Sequence, residues 1–266
     1  ISFSGVILPI LVDPLIDRIG WRNVYMVFGL LVIFILIPAV RYLVIDTPEE
    51  IGQQKDNLSE QPKSMSTFEL MDLKDFLKKS IFWVISLAFA FQFLAMGGVL
   101  LHLPLHSENL GFLGSWSVFG FPIKQTVFAY SFAAFGGVIG KVLLGYLMDK
   151  LKPNIPVMLM MAMQSLGIFG LTLATDYSLF IVFCFVFGLG FGGAMPLMSA
   201  SFLKAFGPQN LGSVRGISAL IIVPVQPVGM VLVGRAFDLN LYIESFFLMG
   251  AITLIGFFIA SRIIIR

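Results

Sequence analysis

The sequence predicts an all-α polytopic membrane protein, and three observations carry that reading. Hydrophobic residues make up 58% of the 266 residues, and the mean hydropathy is +0.95. Charged residues make up only 12%, where a soluble domain carries roughly 25%. Apolar runs of about 20 residues, long enough to cross a hydrocarbon core of roughly 30 Å, recur along the chain. In lipid the backbone must satisfy its own hydrogen bonds, so such runs read as helices. The net charge of +2 offers no basic face for nucleic acid, which is not a predicted partner. Cys184 is the single cysteine and lies in the run FIVFCFVFG. It reads as a small apolar side chain within a helix, and neither a disulfide nor a thiolate metal cluster can be built. No metal and no cofactor is predicted.

Ile1 to Ile19 is an apolar segment expected to be broken by Pro9 and Pro14, the tail of a helix that closes at a polar hinge, Asp17 to Arg22, with an interfacial Trp21. Val24 to Leu43 follows and is long enough to span at 1.5 Å per residue, with Arg41 and Tyr42 marking its exit. Asp46 to Ser80 is the one extended polar stretch and reads as a linker between two bundles. Within it Ser66-Thr67-Phe68-Glu69 fits a capping box. Leu70, Leu73 and Leu77 recur on one face of the turns that follow, which predicts a short helix on the membrane surface.

Six more spans are predicted: Ile81 to Leu105, Thr126 to Met148, Ile155 to Thr175, Leu179 to Leu203, Ile217 to Val233 and Ile243 to Ile263. Their links are short, which makes antiparallel neighbours, except for the glycine-rich, aromatic stretch from His106 to Lys124. Alternating spans put Arg41, Lys55, Lys63, Lys74, Lys78, Lys79, Lys150, Lys152, Lys204, Arg215, Arg262 and Arg266 on one side, and only Arg18, Arg22, Lys124 and Arg235 on the other. Basic residues gather on the cytoplasmic side, so the linker, the turn at Asp149 and the carboxyl end are expected there.

Few residues could carry chemistry. Gly188, Gly190 and Gly193 spell GxGxxG, but that fingerprint needs a strand before it and a soluble helix after it. Inside an apolar span it reads as close helix packing, with Gly136 and Gly140 doing the same in their own helix. Lys141 is the costliest residue, at about 2.5 to 3.5 kcal/mol on insertion scales, and lies about 22 Å along its helix from Thr126. It either snorkels to the headgroups or faces a water-filled path and an anionic substrate. Gln92 and Gln226 fall near the bilayer midplane, where transporters bind solutes, Gln226 between Pro224 and Pro227. They either bond between helices or line a path. His102 and His106 flank Pro104 and read as interfacial histidines, with an outer-gate or proton-linked role for His102 as the alternative. Asp13 reads as paired near the surface, and Arg215 as an anchor at the cytoplasmic edge.

The string of Gly20-Trp21-Arg22, Thr47-Pro48-Glu49-Glu50-Ile51-Gly52, GKVLLGYLMDK from Gly140 to Lys150, and Gly212-Ser213-Val214-Arg215-Gly216 resembles the major facilitator superfamily. Within it the sequence looks most like the branch of the monocarboxylate transporters and oxalate-formate antiporters. The resemblance covers nearly the whole chain and would place Ile1 in the fifth of twelve helices. It implies an N-terminally truncated facilitator: residues 1–45 the last helices of the first half, 46–80 a cytoplasmic linker, and 81–266 the six-helix second half. It also implies that Gly145, Asp149 and Lys150 match the turn that locks the cytoplasmic face. In the monocarboxylate branch an Asp stands one turn before an Arg in this helix. Here those positions are Gly137 and Lys141, so the basic charge is kept in kind and the acid is absent, which fits an anionic substrate and argues against that branch's proton mechanism.

The sequence thus points to a secondary transporter working by alternating access rather than an enzyme. Its path is expected along the spans that hold Gln92, Lys141, Ser199 and Gln226, with His102 at the outer end. Its cargo is expected to be a small organic anion such as a monocarboxylate, with a coupling ion as a further candidate partner. The protein is expected to be a monomer in the plasma membrane, or the inner membrane of a bacterium, with its C-terminus in the cytoplasm. The rival readings, an integral membrane enzyme or a receptor or scaffold, need clustered catalytic groups or sizeable soluble regions, and neither is visible.

Overall fold

Long apolar runs without competing partners for their backbone fold as helices. The structure, a computed structural model, describes residues 2–43, 70–118 and 121–265. In chain order the elements are α1 (Ser2–Ile19), α2 (Trp21–Leu31), a π-helical turn (Val32–Leu36), α3 (Ile37–Leu43), α4 (Leu73–Lys78), α5 (Ser80–Asn109), β1 (Ser115–Val118), β2 (Phe121–Lys124), α6 (Gln125–Lys150), α7 (Asn154–Leu173), α8 (Tyr177–Gly192), α9 (Ala194–Phe206), a 3-10 turn (Pro208–Asn210), α10 (Leu211–Asp238) and α11 (Tyr242–Ala260). Among the described residues seven helical segments are long and apolar enough to cross a membrane: Trp21–Leu43, α5, α6, α7, Tyr177–Phe206, Pro208–Asp238 and α11. The capping box at residues 66–69 and most of the linker lie outside the described residues.

The chain divides into two compact units, Leu11–Phe68 and Ile1–Ile10 with Glu69–Arg266. In the first, α2 and α3 expose nearly all of their apolar side chains, with Val24 the buried exception among the described residues. Gly20 has φ 76° at the N-cap of α2, a left-handed turn that glycine adopts at no steric cost. Arg22 then places its guanidinium 4.3 Å over the Trp21 ring. The expected break at Pro9 and Pro14 does not occur, since α1 runs through both. Each proline removes one backbone bond and strains the turn before it, but the remaining bonds hold the helix.

The second unit is a helical bundle in which α5 packs on α10, α6 on α8, α7 on α8, and α11 on both α5 and α7. One core cluster surrounds Phe82, Phe89, Leu144, Met148, Phe202 and Val214. A second surrounds Leu103, Ala129, Phe180, Phe187, Val233 and Phe246. The span predicted as Leu179 to Leu203 stands as one membrane-crossing segment, Tyr177–Phe206, with a one-residue turn at Gly193 between α8 and α9. Pro196, in the first turn of α9, has no N–H to give the Gly192 carbonyl. Two sequence expectations change here. The stretch His106 to Lys124 is not all loop: α5 runs on to Asn109, and β1 and β2 form an antiparallel hairpin with Trp116 opposite Ile123. The short helix α4 begins after Asp72, and it docks through Phe76, fully buried, while Leu70, Leu73 and Leu77 stay exposed.

Candidate functional site

Glycines decide how closely the bundle helices approach. A Cβ on Gly188 would strike the Ala133 carbonyl, one on Gly140 the Leu189 carbonyl, and one on Gly192 the Gly137 carbonyl, so α6 and α8 meet backbone to backbone. Gly190 makes the same close approach to Gln164 of α7. The GxGxxG stretch is therefore a packing seam, in which small residues let helices come together without a hydrophobic force in lipid. Lys141 sits on α6 one turn beyond Gly137, which backs on Gly192, and three residues before Leu144, whose Cδ1 would be 2.5 Å from a Cβ on Gly193. This half-buried lysine thus stands at the level where α8 gives way to α9. The seat where the resemblance puts an acid is filled, since a Cβ on Gly137 would lie 3.1 Å from the Phe191 ring.

The two midplane glutamines part company. Gln92 is fully buried and donates its amide to Oε1 of Gln164 on α7 at 2.8 Å, while Gln164 donates back to the Gln92 carbonyl at 3.2 Å. Gln226 instead lines a cleft of about 550 Å³ between α5, α9 and α10, together with Phe93, Met195, Met198, Arg215, Ser218 and Ile222. Gln226 reaches this place by lying over Gly97, where a Cβ would come within 2.6 Å of its Cγ. Helix α10 passes through Pro224 and Pro227, and Pro227 has no N–H for the carbonyl of Val223, another residue of the cleft wall. Ser199 is half-buried and donates its hydroxyl to the Met195 carbonyl at 2.9 Å. Lys141, Gln92, Ser199 and His102 are not part of the cleft lining.

The histidines sit in separate seams. His102 donates from Nδ1 to the Gly98 carbonyl at 2.9 Å, and a Cβ on Gly234 of α10 would be 3.2 Å from its Nε2. His106, expected at the interface, is fully buried. It bonds through Nε2 to the Leu171 carbonyl at 3.1 Å and stacks on Phe246 with ring centroids 4.1 Å apart. The reason is the extra turn of α5, which carries His106 past the end predicted at Leu105 and against α7 and α11.

The sequence profile of the Major Facilitator Superfamily matches residues 1–230. The chain belongs to the major facilitator superfamily. With seven apolar helices among the described residues, this facilitator is an integral, multi-pass membrane protein and a membrane transporter, whose partners are a small-molecule solute and the lipid bilayer. A comparison with curated proteins returns no match.

At the far end of α6 the facilitator places Asp149 and Lys150 on the exposed surface, with Gly145 half-buried one turn before Asp149. A Cβ on Gly145 would meet nothing within 4 Å, so that glycine is not held by packing within the described residues. Lys150 extends back to within 5.8 Å of the Tyr146 ring. Lys204 of α9 donates to the Met148 carbonyl, giving the C-terminal turn of α6 a cation where its unpaired carbonyls carry partial negative charge. Sequence reasoning missed three residues here. Gln164 and Lys204 find partners 72 and 56 residues away, which no local pattern announces. Arg215 was legible only as an anchor, although Arg215, Ala219, Ile222 and Gln226 follow the spacing of one helix face and all four line the cleft.

Proposed function

We propose that this protein is a secondary active transporter that works by alternating access and carries a small organic anion such as a monocarboxylate. The observation that carries the reading is the placement of Lys141. A lysine this far inside a span costs about 2.5 to 3.5 kcal/mol on insertion scales, and such residues mark solute and ion pathways. Lys141 meets that description, half-buried at the level of the turn at Gly193 between α8 and α9. Gln226, Ser199, Gln92 and His102 are the further candidates along the path. The absence of an acid at Gly137 supports a coupling ion other than a proton held by an acid–base pair in α6.

The charges support an orientation. Lys150, Lys152, Lys204, Arg215 and Arg262 stand at helix ends on the side where α5 begins, with Lys74, Lys78 and Lys79 just before it. The opposite ends carry Lys124 and Arg235 beside Glu108, Asp176, Asp238 and Glu244. That bias favours a cytoplasmic carboxyl end in a plasma membrane or bacterial inner membrane. With that orientation the exposed turn of Asp149 and Lys150 after Gly145 supports the reading of these three residues as a cytoplasmic gate element, and the proposed working unit is a monomer. The test is exchange of labelled small carboxylates by the purified protein in proteoliposomes. Lys141→Ala should abolish uptake while leaving the melting temperature unchanged, and undiminished uptake would overturn the substrate-contact role.

A further inference from the structure

The cleft on α10 has a polarity of its own. Arg215 and Gln226 lie on one face of the helix, eleven residues or about 16 Å apart along its axis. Ala219 and Ile222 stand between them on the same face, and Phe93 of α5 with Met195 and Met198 of α9 close the middle of the cleft. One end thus presents a guanidinium, which makes no ion pair among the described residues. The middle is apolar but for Ser218, whose hydroxyl donates to the Arg215 carbonyl at 3.0 Å. The other end carries Gln226. Among the described residues Arg215 is the one charged residue of the lining, so a negative group belongs at its end, where a planar fork of donors matches a carboxylate.

We propose that this cleft is a binding site for an amphipathic organic anion, its carboxylate held by Arg215 and its apolar body laid along Phe93, Met195, Met198 and Ile222. A short hydrophilic anion would leave the middle of the cleft unfilled, and an uncharged apolar molecule would leave Arg215 without a partner. The site rests on the reading of the protein as an organic-anion carrier and narrows its cargo, and it is separate from the contact assigned to Lys141.

The test is saturable binding of labelled 4-phenylbutyrate to the purified protein in phosphatidylcholine nanodiscs, with acetate and 4-phenylbutanol as competitors. One charge-assisted contact and the apolar body should each contribute about tenfold or more, so both competitors should be weaker by that factor. Arg215→Gln should weaken 4-phenylbutyrate about tenfold and leave 4-phenylbutanol unchanged, with Arg215→Lys in between. Ala219→Phe, which fills the middle of the cleft, should remove 4-phenylbutyrate binding while acetate still binds. Equal competition by acetate, or unchanged binding by Arg215→Gln, would overturn the proposal. So would loss of binding when phosphatidylglycerol is added to the nanodiscs, which would assign the cleft to a lipid. Transport separates this proposal from the one on which it rests. Arg215-dependent binding with no exchange in proteoliposomes upholds the cleft and overturns the carrier reading, whereas exchange that ignores Arg215→Gln overturns the cleft alone.

Discussion

Gln92 and Gln164 close a reciprocal pair across α5 and α7, amide to side-chain oxygen at 2.8 Å and amide to backbone carbonyl at 3.2 Å, with both residues fully buried. Such a bond between membrane helices contributes only about 0.6 kcal/mol on average, because the unfolded chain also finds partners in the bilayer. Removing one partner is worse than removing both, since the amide left behind is buried without a bond, at about 1 to 3 kcal/mol. Gln164→Leu is therefore expected to destabilise by that amount, and the Gln92→Leu/Gln164→Leu pair by less than the two single changes together. Thermal melts of the four variants in detergent check this, and strictly additive losses would show that the glutamines act independently.

The seam between α6 and α8 gives a second expectation. Gly188 faces the Ala133 carbonyl with no room for a Cβ, whereas Gly29 has nothing within 4 Å of where a Cβ would go. A methyl at Gly188 must push two backbones apart, and overpacking of this kind costs about 1 to 3 kcal/mol. At Gly29 the same change should be neutral or mildly stabilising, because alanine has the better helix propensity by about 1 kcal/mol. Gly188→Ala should lower the melting temperature and Gly29→Ala should not. Equal behaviour of the two variants would mean that α6 and α8 do not meet as described.

The glycine seam, unlike the glutamine pair, also shows where sequence was enough. The spans could be read because hydropathy and length alone decide whether a segment lies in lipid, and the glycines of the α6–α8 seam could be read because small residues inside an apolar run have few other uses. The run from Leu179 to Leu203 was read correctly as one span, but the turn at Gly193 within it was hidden, since Pro196 in the first turn of a helix is as acceptable as proline outside one. The hairpin at Ser115–Val118 and Phe121–Lys124 was hidden because four-residue strands leave almost no periodic signal. The cleft was hidden for a different reason. Its walls come from α5, α9 and α10, and only their packing brings Phe93, Met198 and Arg215 together.

Lys204 links two helix ends and predicts a local effect. Its ammonium donates to the Met148 carbonyl, two residues before the end of α6 at Lys150. A cation at a helix C-terminus is worth about 0.3 to 1 kcal/mol when exposed and up to about 2 kcal/mol when partly buried, and Lys204 is half-buried. Lys204→Met keeps most of the apolar stem and removes the charge. Amide hydrogen exchange at Leu147 to Leu151 should then quicken by about five- to tenfold, the factor that corresponds to roughly 1 kcal/mol. Exchange in the middle of α6 should not change. Faster exchange along the whole helix would instead mark a general loss of packing.

The last expectation concerns α4, six residues that could not hold a helix alone, because nucleation is too costly in so short a segment. Its stability must come from docking. Phe76 is fully buried with its ring edge-on to Phe206 at 5.5 Å. Two polar links flank it: the Met71 N–H donates to Oδ1 of Asn210 at 3.0 Å, and the Trp83 indole donates to the Leu77 carbonyl at 2.8 Å. Leu73, on the same short helix, is 57% exposed and makes no comparable contact with the core. Phe76→Ala removes a buried aromatic ring, a change that costs about 3 to 5 kcal/mol in a well-packed core. That exceeds what the two polar links can replace, at about 0.5 to 1.5 kcal/mol each. The helix should therefore detach, and the backbone from Leu70 to Lys79 should become cleavable by trypsin at Lys74 and Lys78 while the spans stay protected. Leu73→Ala should leave the cleavage pattern unchanged. Resistance of Phe76→Ala to trypsin would show that the polar links, rather than the ring, hold α4 in place.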